Sequence, residues 1–382
     1  MKKKILFING HLNVGGVEKS LIDILKHLNY EKYEVDLLLL EETGDYENEI
    51  PGSVNVRLKS LKNTYGSFIP CIKKCMKEKD TFSLKMRMIM LCMRFLGQKQ
   101  IKLAKNILTD NKQYDCVIGF RSGICSQIAA FAVNANKKII WWHHGEFNVS
   151  IHEYDEMARE CDAVVSVSRS CAAMLQEKVP ALRSKLKVIS NMVDVRQLER
   201  KCLELNPYEG NRNWITVCRI SPEKHIENTI FAAKKIKDLG IRFKWHIVGD
   251  GILRESMEKL AKEQNVEDCV IFEGRKRNPY PYIKYAELYI HPSHVESQGL
   301  TILEAMSLGV PCVVTKSLGP LEFIEDGING IIVETTCEDL ANGIISILQD
   351  VQLYDKIKTR SICPFEFLPE NIMAELEELL GY

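Results

Sequence analysis

Two glutamates, Glu296 and Glu304, stand with seven residues between them inside the stretch His291–Pro311. Ser297-Gln298-Gly299-Leu300-Thr301 lies between them and reads as a loop turning into a helix. Apolar Leu300, Leu303, Ala305, Met306 and Leu308 carry the helical period, Gly309 stops it, and Pro311 follows two residues later. A helix start offers unpaired backbone N–H groups and the positive end of a dipole, which suits a phosphate. Glu296 falls on the loop and Glu304 in the first turns of the helix. One carboxylate could then take ribose hydroxyls while the other faces a sugar, with a diphosphate on the N–H groups between them. Two acids in a chain with 51 can equally be a solvated residue and a cap, so the elements around them decide.

Other residues could join this chemistry. Arg219 and Lys224 lie five positions apart on a loop after a strand, where Arg could clamp a diphosphate in bidentate fashion and Lys act as a point charge. The plain reading is a surface ion pair of Glu223 with one of them. Gly15-Gly16 follows the first strand and precedes an amphipathic helix, allowing a sharp turn and close approach of N–H groups to a phosphate. It is not a Gly-x-Gly-x-x-Gly fingerprint, which argues against a nicotinamide dehydrogenase. Gly249-Asp250-Gly251 is another strand-to-helix turn, and His143-His144 follows a strand at the end where catalytic groups collect.

These residues need elements to hold them. Strand-like runs occur at Lys4–Ile8, Val35–Leu40, Cys116–Gly119, Lys138–Trp142, Ala163–Ser166, Lys187–Ile189, Trp214–Cys218, Lys244–Val248, Val270–Phe272, Leu288–Ile290, Cys312–Thr315 and Ile331–Val333, alternating with helical patterns. Such alternation predicts parallel sheets with helices on both faces. The 382 residues suggest two domains, and the polar stretch Asn191–Asn213 is the best boundary. The 13 cysteines fall on apolar segments with no Cys-x-x-Cys pair, so buried free thiols are expected rather than disulfides or zinc. No Asp-x-Asp motif and no metal-ligand spacing occurs, and no cofactor is expected. Net charge is zero, so there is no general case for a nucleic-acid partner.

Asn278-Pro279-Tyr280-Pro281-Tyr282, the strand Leu288-Tyr289-Ile290, the turn His291-Pro292-Ser293, the two glutamates and Gly309–Val314 together resemble the donor-site signature of glycosyltransferase family 4. The resemblance implies a GT-B fold, with two Rossmann-like domains whose parallel sheets face a central cleft, and a retaining reaction on a nucleotide diphosphate sugar. Cys218–His225 resembles that family's Gly-Arg-Leu-x-x-x-Lys-Gly element, with Cys218 and His225 replacing glycines and both cations kept. The resemblance assigns Arg219 and Lys224 to the diphosphate, along with the N–H groups near Gly299, Leu300 and Thr301. It assigns Glu304 to the ribose, Glu296 to the sugar, Gly15 and Gly16 to the diphosphate and the admission of acceptor, and His143, with His144 as alternative, to the transferred sugar. Gly249 would lie beside the nucleotide and Arg275 would border the base. No metal is implied.

Arg57–Lys105 has no counterpart in that resemblance. It holds 13 Lys or Arg against Glu78 and Asp80, so 13 − 2 = +11. Interleaved Phe, Met, Leu and Ile predict helices that are basic and apolar, suited to an anionic lipid surface. The expected organisation is therefore an acceptor-side domain over 1–200, with 57–105 as the membrane-contact candidate, and a donor domain over 201–365. A final helix over 366–382 would pack back on the first domain. The expected activity is transfer of a hexose or N-acetylhexosamine, from a UDP-sugar by preference, to a sugar or lipid-linked saccharide acceptor in polysaccharide assembly. The expected location is cytoplasmic, peripheral on the inner face of the plasma membrane. A soluble transferase acting on a small molecule and a non-catalytic partner that keeps the fold are the alternatives.

Overall fold

The computed structural model describes residues 2–210 and 212–381; Asn211, inside the expected boundary stretch, lies outside the described residues, as do Met1 and Tyr382. The chain divides into two units, one made of Met1–Ser190 with Met373–Tyr382 and the other of Asn191–Ile372.

The described residues of the first unit build a seven-stranded parallel sheet from β1 (Lys3–Asn9), β2 (Tyr33–Leu39), β3 (Val54–Leu58), β4 (Gln113–Gly119), β5 (Asn134–Trp142), β6 (Ala163–Ser166) and β7 (Leu186–Val188), in the order β3-β2-β1-β4-β5-β6-β7. β1 is central, with Ile5 opposite Val35 of β2 on one side and Cys116 of β4 on the other. Its residues Ile5 to Asn9 are all buried, as expected where helices cover both faces of a parallel sheet. Leu6, Ile8, Val117, Ile128 and Trp142 belong to one core cluster.

The described residues of the second unit build a six-stranded parallel sheet from β8 (Asn213–Val217), β9 (Lys244–Val248), β10 (Val270–Gly274), β11 (Leu288–His291), β12 (Cys312–Thr315) and β13 (Ile331–Val333), in the order β10-β9-β8-β11-β12-β13. The period of two along each strand divides its core. Trp214, Trp245, Leu288 and Ile290 face one cluster, while Ile215, Val248 and Tyr289 face the other with Ile302 and Leu303 of the helix Leu300–Ser307. Trp214 stacks on Phe243 with centroids 4.3 Å apart and meets Trp245 edge-on at 5.8 Å.

The α/β architecture agrees with the sequence reading, and each expected strand is present, β4 and β5 being longer at their amino ends. β3 is an additional strand that the sequence does not mark, because it lies in the charged approach to the basic segment. It is a partly exposed edge strand, so its sequence lacks the apolar run that marks the central strands.

Both strand orders reverse at a defined point. β1 lies between β2 and β4, and β8 lies between β9 and β11. Loops that leave the carboxyl ends of the two strands at such a switch point diverge and leave a crevice for ligand. In the second unit these are the loops after β8 and β11, which carry Arg219–Lys224 and Glu296.

Candidate active site

The loop after β11 reaches its helix through Gly299, whose φ of +87° is left-handed. A Cβ there would also lie 2.8 Å from Ile302 Cδ1, so glycine is required on two grounds. No side chain caps the helix Leu300–Ser307, which leaves its first amides available to a ligand. Two further contacts fix the loop. Asn191 donates to Gln298 Oε1 from its backbone at 2.8 Å and from its side chain at 2.6 Å, and Gln298 Nε2 donates back to Asn191 O at 3.0 Å. Gly319 approaches so closely that a Cβ would sit 2.5 Å from Gln298 Cα, and its N–H donates to Glu296 O at 3.2 Å.

Glu296 is the centre of the arrangement. Lys224 Nζ donates to its Oε2 at 2.6 Å, and His291 Nε2 approaches the same oxygen at 2.9 Å. Burial alone would raise the carboxyl pKa. The Lys224 charge and the hydrogen bonds from His291 and Lys224 outweigh it and hold the acid well below the usual carboxylate range. Burial likewise works against the Lys224 ammonium, and Glu296 overrides it so that the amine is pushed up. Both groups are thereby charged at neutral pH. Behind them Tyr289 OH lies 3.3 Å from His291 Nδ1 and 2.7 Å from Thr301 Oγ1.

Lys224 ends a short 3₁₀ turn, and His225 follows with φ +47° in the left-handed region. The site where the resemblance expects glycine thus keeps a glycine-like backbone, with His225 stacked on His294 at 5.1 Å between centroids. Arg219 is exposed on the same loop. Gly249 and Gly251 hold this loop from below. A Cβ on Gly249 would meet Cys218 O at 1.8 Å, and one on Gly251 would meet Ile220 O at 2.2 Å. Backbone bonds from Cys218 N to Val248 O (3.1 Å) and from Ile220 N to Asp250 O (3.0 Å) join the two turns. Glu304 is buried, and its Oε1 accepts from Tyr280 OH at 3.0 Å. Arg275 is exposed beyond β10.

In the first unit, Gly15 starts the helix Gly16–His27, and a Cβ on it would lie 2.4 Å from Glu18 Oε2, whereas Gly16 faces open space. Glu18 is buried, and Arg121 Nη1 donates to its Oε1 at 3.0 Å and meets His11 Nε2 at 2.8 Å. These residues follow β1 and β4 at that unit's own switch point. His143, at the end of β5, packs 4.8 Å from Phe120 and stacks on Trp141 at 6.1 Å. Burial, with His144 and Arg121 adding to it, lowers its imidazole pKa to about 3, so the ring is neutral. His144 is exposed.

Sequence reasoning missed His291 and Tyr289 as parts of the site, and Glu18, Arg121 and His11 beside the glycine loop. One signal was available, since Tyr289 and His291 put two polar rings on the same face of an otherwise apolar strand. Among the described residues no three His, Cys, Asp or Glu side chains gather as a metal-holding group.

Residues 202–362 match the family described as glycosyl transferases group 1. With the two parallel sheets, this makes the chain a glycosyltransferase of GT-B fold. It is 25% identical to the N-acetylgalactosamine-N,N'-diacetylbacillosaminyl-diphospho-undecaprenol 4-alpha-N-acetylgalactosaminyltransferase of Campylobacter jejuni, over 94% of this chain and 95% of that one. It is also 25% identical to the N-acetyl-alpha-D-glucosaminyl L-malate synthase of Bacillus anthracis, over 67% of this chain and 71% of that one. In fold it is similar to Anabaena HepE, solved in complex with UDP and glucose, with a TM-score of 0.72, 20% identity and 99% of each chain covered.

Proposed function

We propose that this chain is a retaining, metal-independent glycosyltransferase of the family 4 type. It moves a hexose or N-acetylhexosamine from a UDP-sugar to a hydroxyl of a lipid-linked saccharide in cell-surface polysaccharide assembly. The observation that carries this reading is Glu296 fixed between Lys224 and His291, beside an uncapped helix start and a buried Glu304. HepE binds UDP and glucose on the same fold, and the Campylobacter relative is named for a diphospho-undecaprenol-linked substrate.

The physical task is to stabilise a departing diphosphate and an oxocarbenium-like sugar. Arg219, Lys224 and the amides at Gly299, Leu300 and Thr301 take the developing negative charge in the manner of an oxyanion site. Gly15 and Gly16 offer further amides, Gly249 backs the nucleotide, Arg275 borders the base and Glu304 orients the ribose. Glu296 holds sugar hydroxyls, and neutral His143 is the first unit's contribution to sugar binding. The C1–O bond to phosphate breaks, and the acceptor oxygen bonds C1 on the same face. The acceptor proton passes to the departing phosphate oxygen.

The acceptor reading leans on the basic segment. It folds as the helices Phe68–Lys77 and Thr81–Leu96 and the 3₁₀ turns Gln98–Ala104. Thr81, Lys85, Met88, Cys92 and Phe95 recur at helical spacing, with Ile69, Lys73 and Met76 doing the same on the other helix, and Phe95 is 74% exposed and Ile69 65%. Lys73, Lys77, Lys85, Arg94 and Lys102 are exposed and have no ion pair among the described residues. Apolar side chains set among unpaired cations suit the inner face of an anionic membrane, where each cation contributes about 1 kcal/mol. Among the described residues no helix is long and apolar enough to cross a membrane. The Bacillus relative's name, that of an L-malate conjugate, favours a second reading in which the acceptor is a small soluble molecule.

Thermal-shift binding against UDP-, GDP- and ADP-sugars, with and without EDTA, tests the donor reading. Strong stabilisation by one nucleotide sugar, unchanged by EDTA, is expected. No shift with any of them would move the reading to a non-catalytic role.

A further inference from the structure

Glu296 Oε2 receives two donors, while Oε1 accepts no hydrogen bond among the described residues. The second donor has its own support. A carboxylate can only accept, so His291 Nε2 carries the proton at 2.9 Å, and the neutral ring then presents Nδ1 as an acceptor. Burial favours that neutral form, and it also keeps the Tyr289 phenol protonated. Tyr289 OH donates to Thr301 Oγ1 at 2.7 Å, and it lies 3.3 Å from Nδ1 and 3.4 Å from Val217 O, packing the His291 ring from behind. Tyr289 and His291 come from β11 and Thr301 from the first turn of the helix Leu300–Ser307, so the Glu296 carboxylate on the loop between them is held in register with the helix start. His291 is 1% exposed and Tyr289 is fully buried, so neither reaches a ligand.

We propose that His291 is a positioning residue for Glu296: with Lys224 it fills Oε2, and it presents Oε1 as the free acceptor for a hydroxyl pair of the donor's sugar. Glu296 thereby reads the sugar while the helix start and the cations hold the diphosphate. This rests on the reading of Glu296 as the sugar-facing carboxylate. It adds that sugar recognition depends on a side chain that never touches the sugar.

The test compares affinities for UDP and for UDP-glucose or UDP-N-acetylglucosamine, whichever stabilises the native protein more, by calorimetry. The gain from adding the sugar is the readout, because a general structural defect would weaken UDP and UDP-sugar alike. His291→Phe is expected to cut that gain about tenfold, the worth of one charge-assisted hydrogen bond, with UDP affinity within about twofold of native. His291→Gln, which can return an N–H to Oε2, is expected to recover most of the gain. An undiminished gain in His291→Phe would overturn the proposal, as would equal loss for UDP and UDP-sugar, or no recovery in His291→Gln. Should His291→Phe fail to fold, His291→Asn, whose side chain is too short to reach Oε2, takes its place. It is then expected to lower the gain as His291→Phe would, and an unchanged gain there overturns the proposal too. Glu296→Gln separates the role of Glu296 from that of His291. If it also leaves the gain intact, the sugar-facing reading of Glu296 has failed. If it abolishes the gain while His291→Phe does not, only the positioning proposal has failed.

Discussion

Lys224 and Glu296 stand 72 residues apart in sequence and 2.6 Å apart in space, Nζ to Oε2. One follows β8 and the other follows β11, the two strands that flank the switch point of the second unit's sheet. The pair ties together the two loops that carry the donor-site candidates, and both partners are mostly buried, with 17% and 14% of their side-chain surfaces exposed.

The pair's stability should follow a window in pH. Glu296 is depressed from 4.5, so its contribution is present above that value and is lost as pH falls through its folded pKa. Lys224 is raised from 10.5, so its contribution is present below that value and is lost as pH rises through its own. Removing one partner of a buried pair leaves an uncompensated charge, so Lys224→Met is expected to cost about 3–5 kcal/mol on the plateau between the two limits. The gap in Tm between native and variant, measured against pH, should be widest there and narrow toward acid. A gap independent of pH would show that the two charges are not coupled.

His143 makes the opposite demand on a proton. Its folded pKa near 3 lies below the ordinary 6.5, so the unfolded chain binds the extra proton first and stability drops as pH falls from 6.5 toward 3. His143→Phe should flatten that part of the Tm profile. The imidazole resonances of the native protein should include a histidine that does not titrate between pH 7 and 5 and that is absent from His143→Phe.

Glycines at two turns should respond differently to a single methyl group. Gly249→Ala drives Cβ into Cys218 O at a φ of +146° and should abolish folding or lower Tm steeply. Gly16 has nothing within 4 Å of its would-be Cβ, so Gly16→Ala should melt within about 1 kcal/mol of native. Any loss of donor binding in Gly16→Ala then reports contact with the ligand rather than with the protein.

Ile69→Ser with Phe95→Ser, and separately Lys73→Glu with Lys85→Glu, are expected to release the protein from anionic liposomes while leaving Tm within about 1 kcal/mol of native, because all four side chains are exposed. Flotation with and without phosphatidylglycerol is the check. Unchanged flotation of both variants would remove the membrane reading.

Much of the fold was legible because parallel strands buried on both faces leave continuous apolar runs, as at Lys4–Ile8 and Cys312–Thr315. The edge strand β3 has no such run and was missed. Within the candidate site, the sequence marks features set by local backbone. The glycine before Leu300 and the adjacent glycines 15 and 16 announce their turns on their own. Contacts between distant segments leave no such mark. Glu18 and Arg121 are 103 residues apart, and Lys224 and Glu296 join only because β8 pairs with β11. His291 was hidden for another reason, since nothing in one buried histidine tells a packed ring from a ring that aims a carboxylate.

The first unit ends with the chain's last residues. Met373–Tyr382 belongs to it, and Lys3 Nζ donates to Gly381 O at 2.7 Å and to Leu380 O at 3.3 Å. Lys137 Nζ donates to Leu379 O, and Lys32 pairs with Glu377 at 2.7 Å. On the ribosome the sheet of this unit is made first, yet the segment that completes it emerges only after all of Asn191–Ile372. The amino-terminal half therefore spends most of synthesis unfinished, with Lys3 and Lys137 waiting for carbonyls that have not been made. A message truncated late, or a nascent chain stalled in its last helix, would release a product whose second unit is whole and whose first is not.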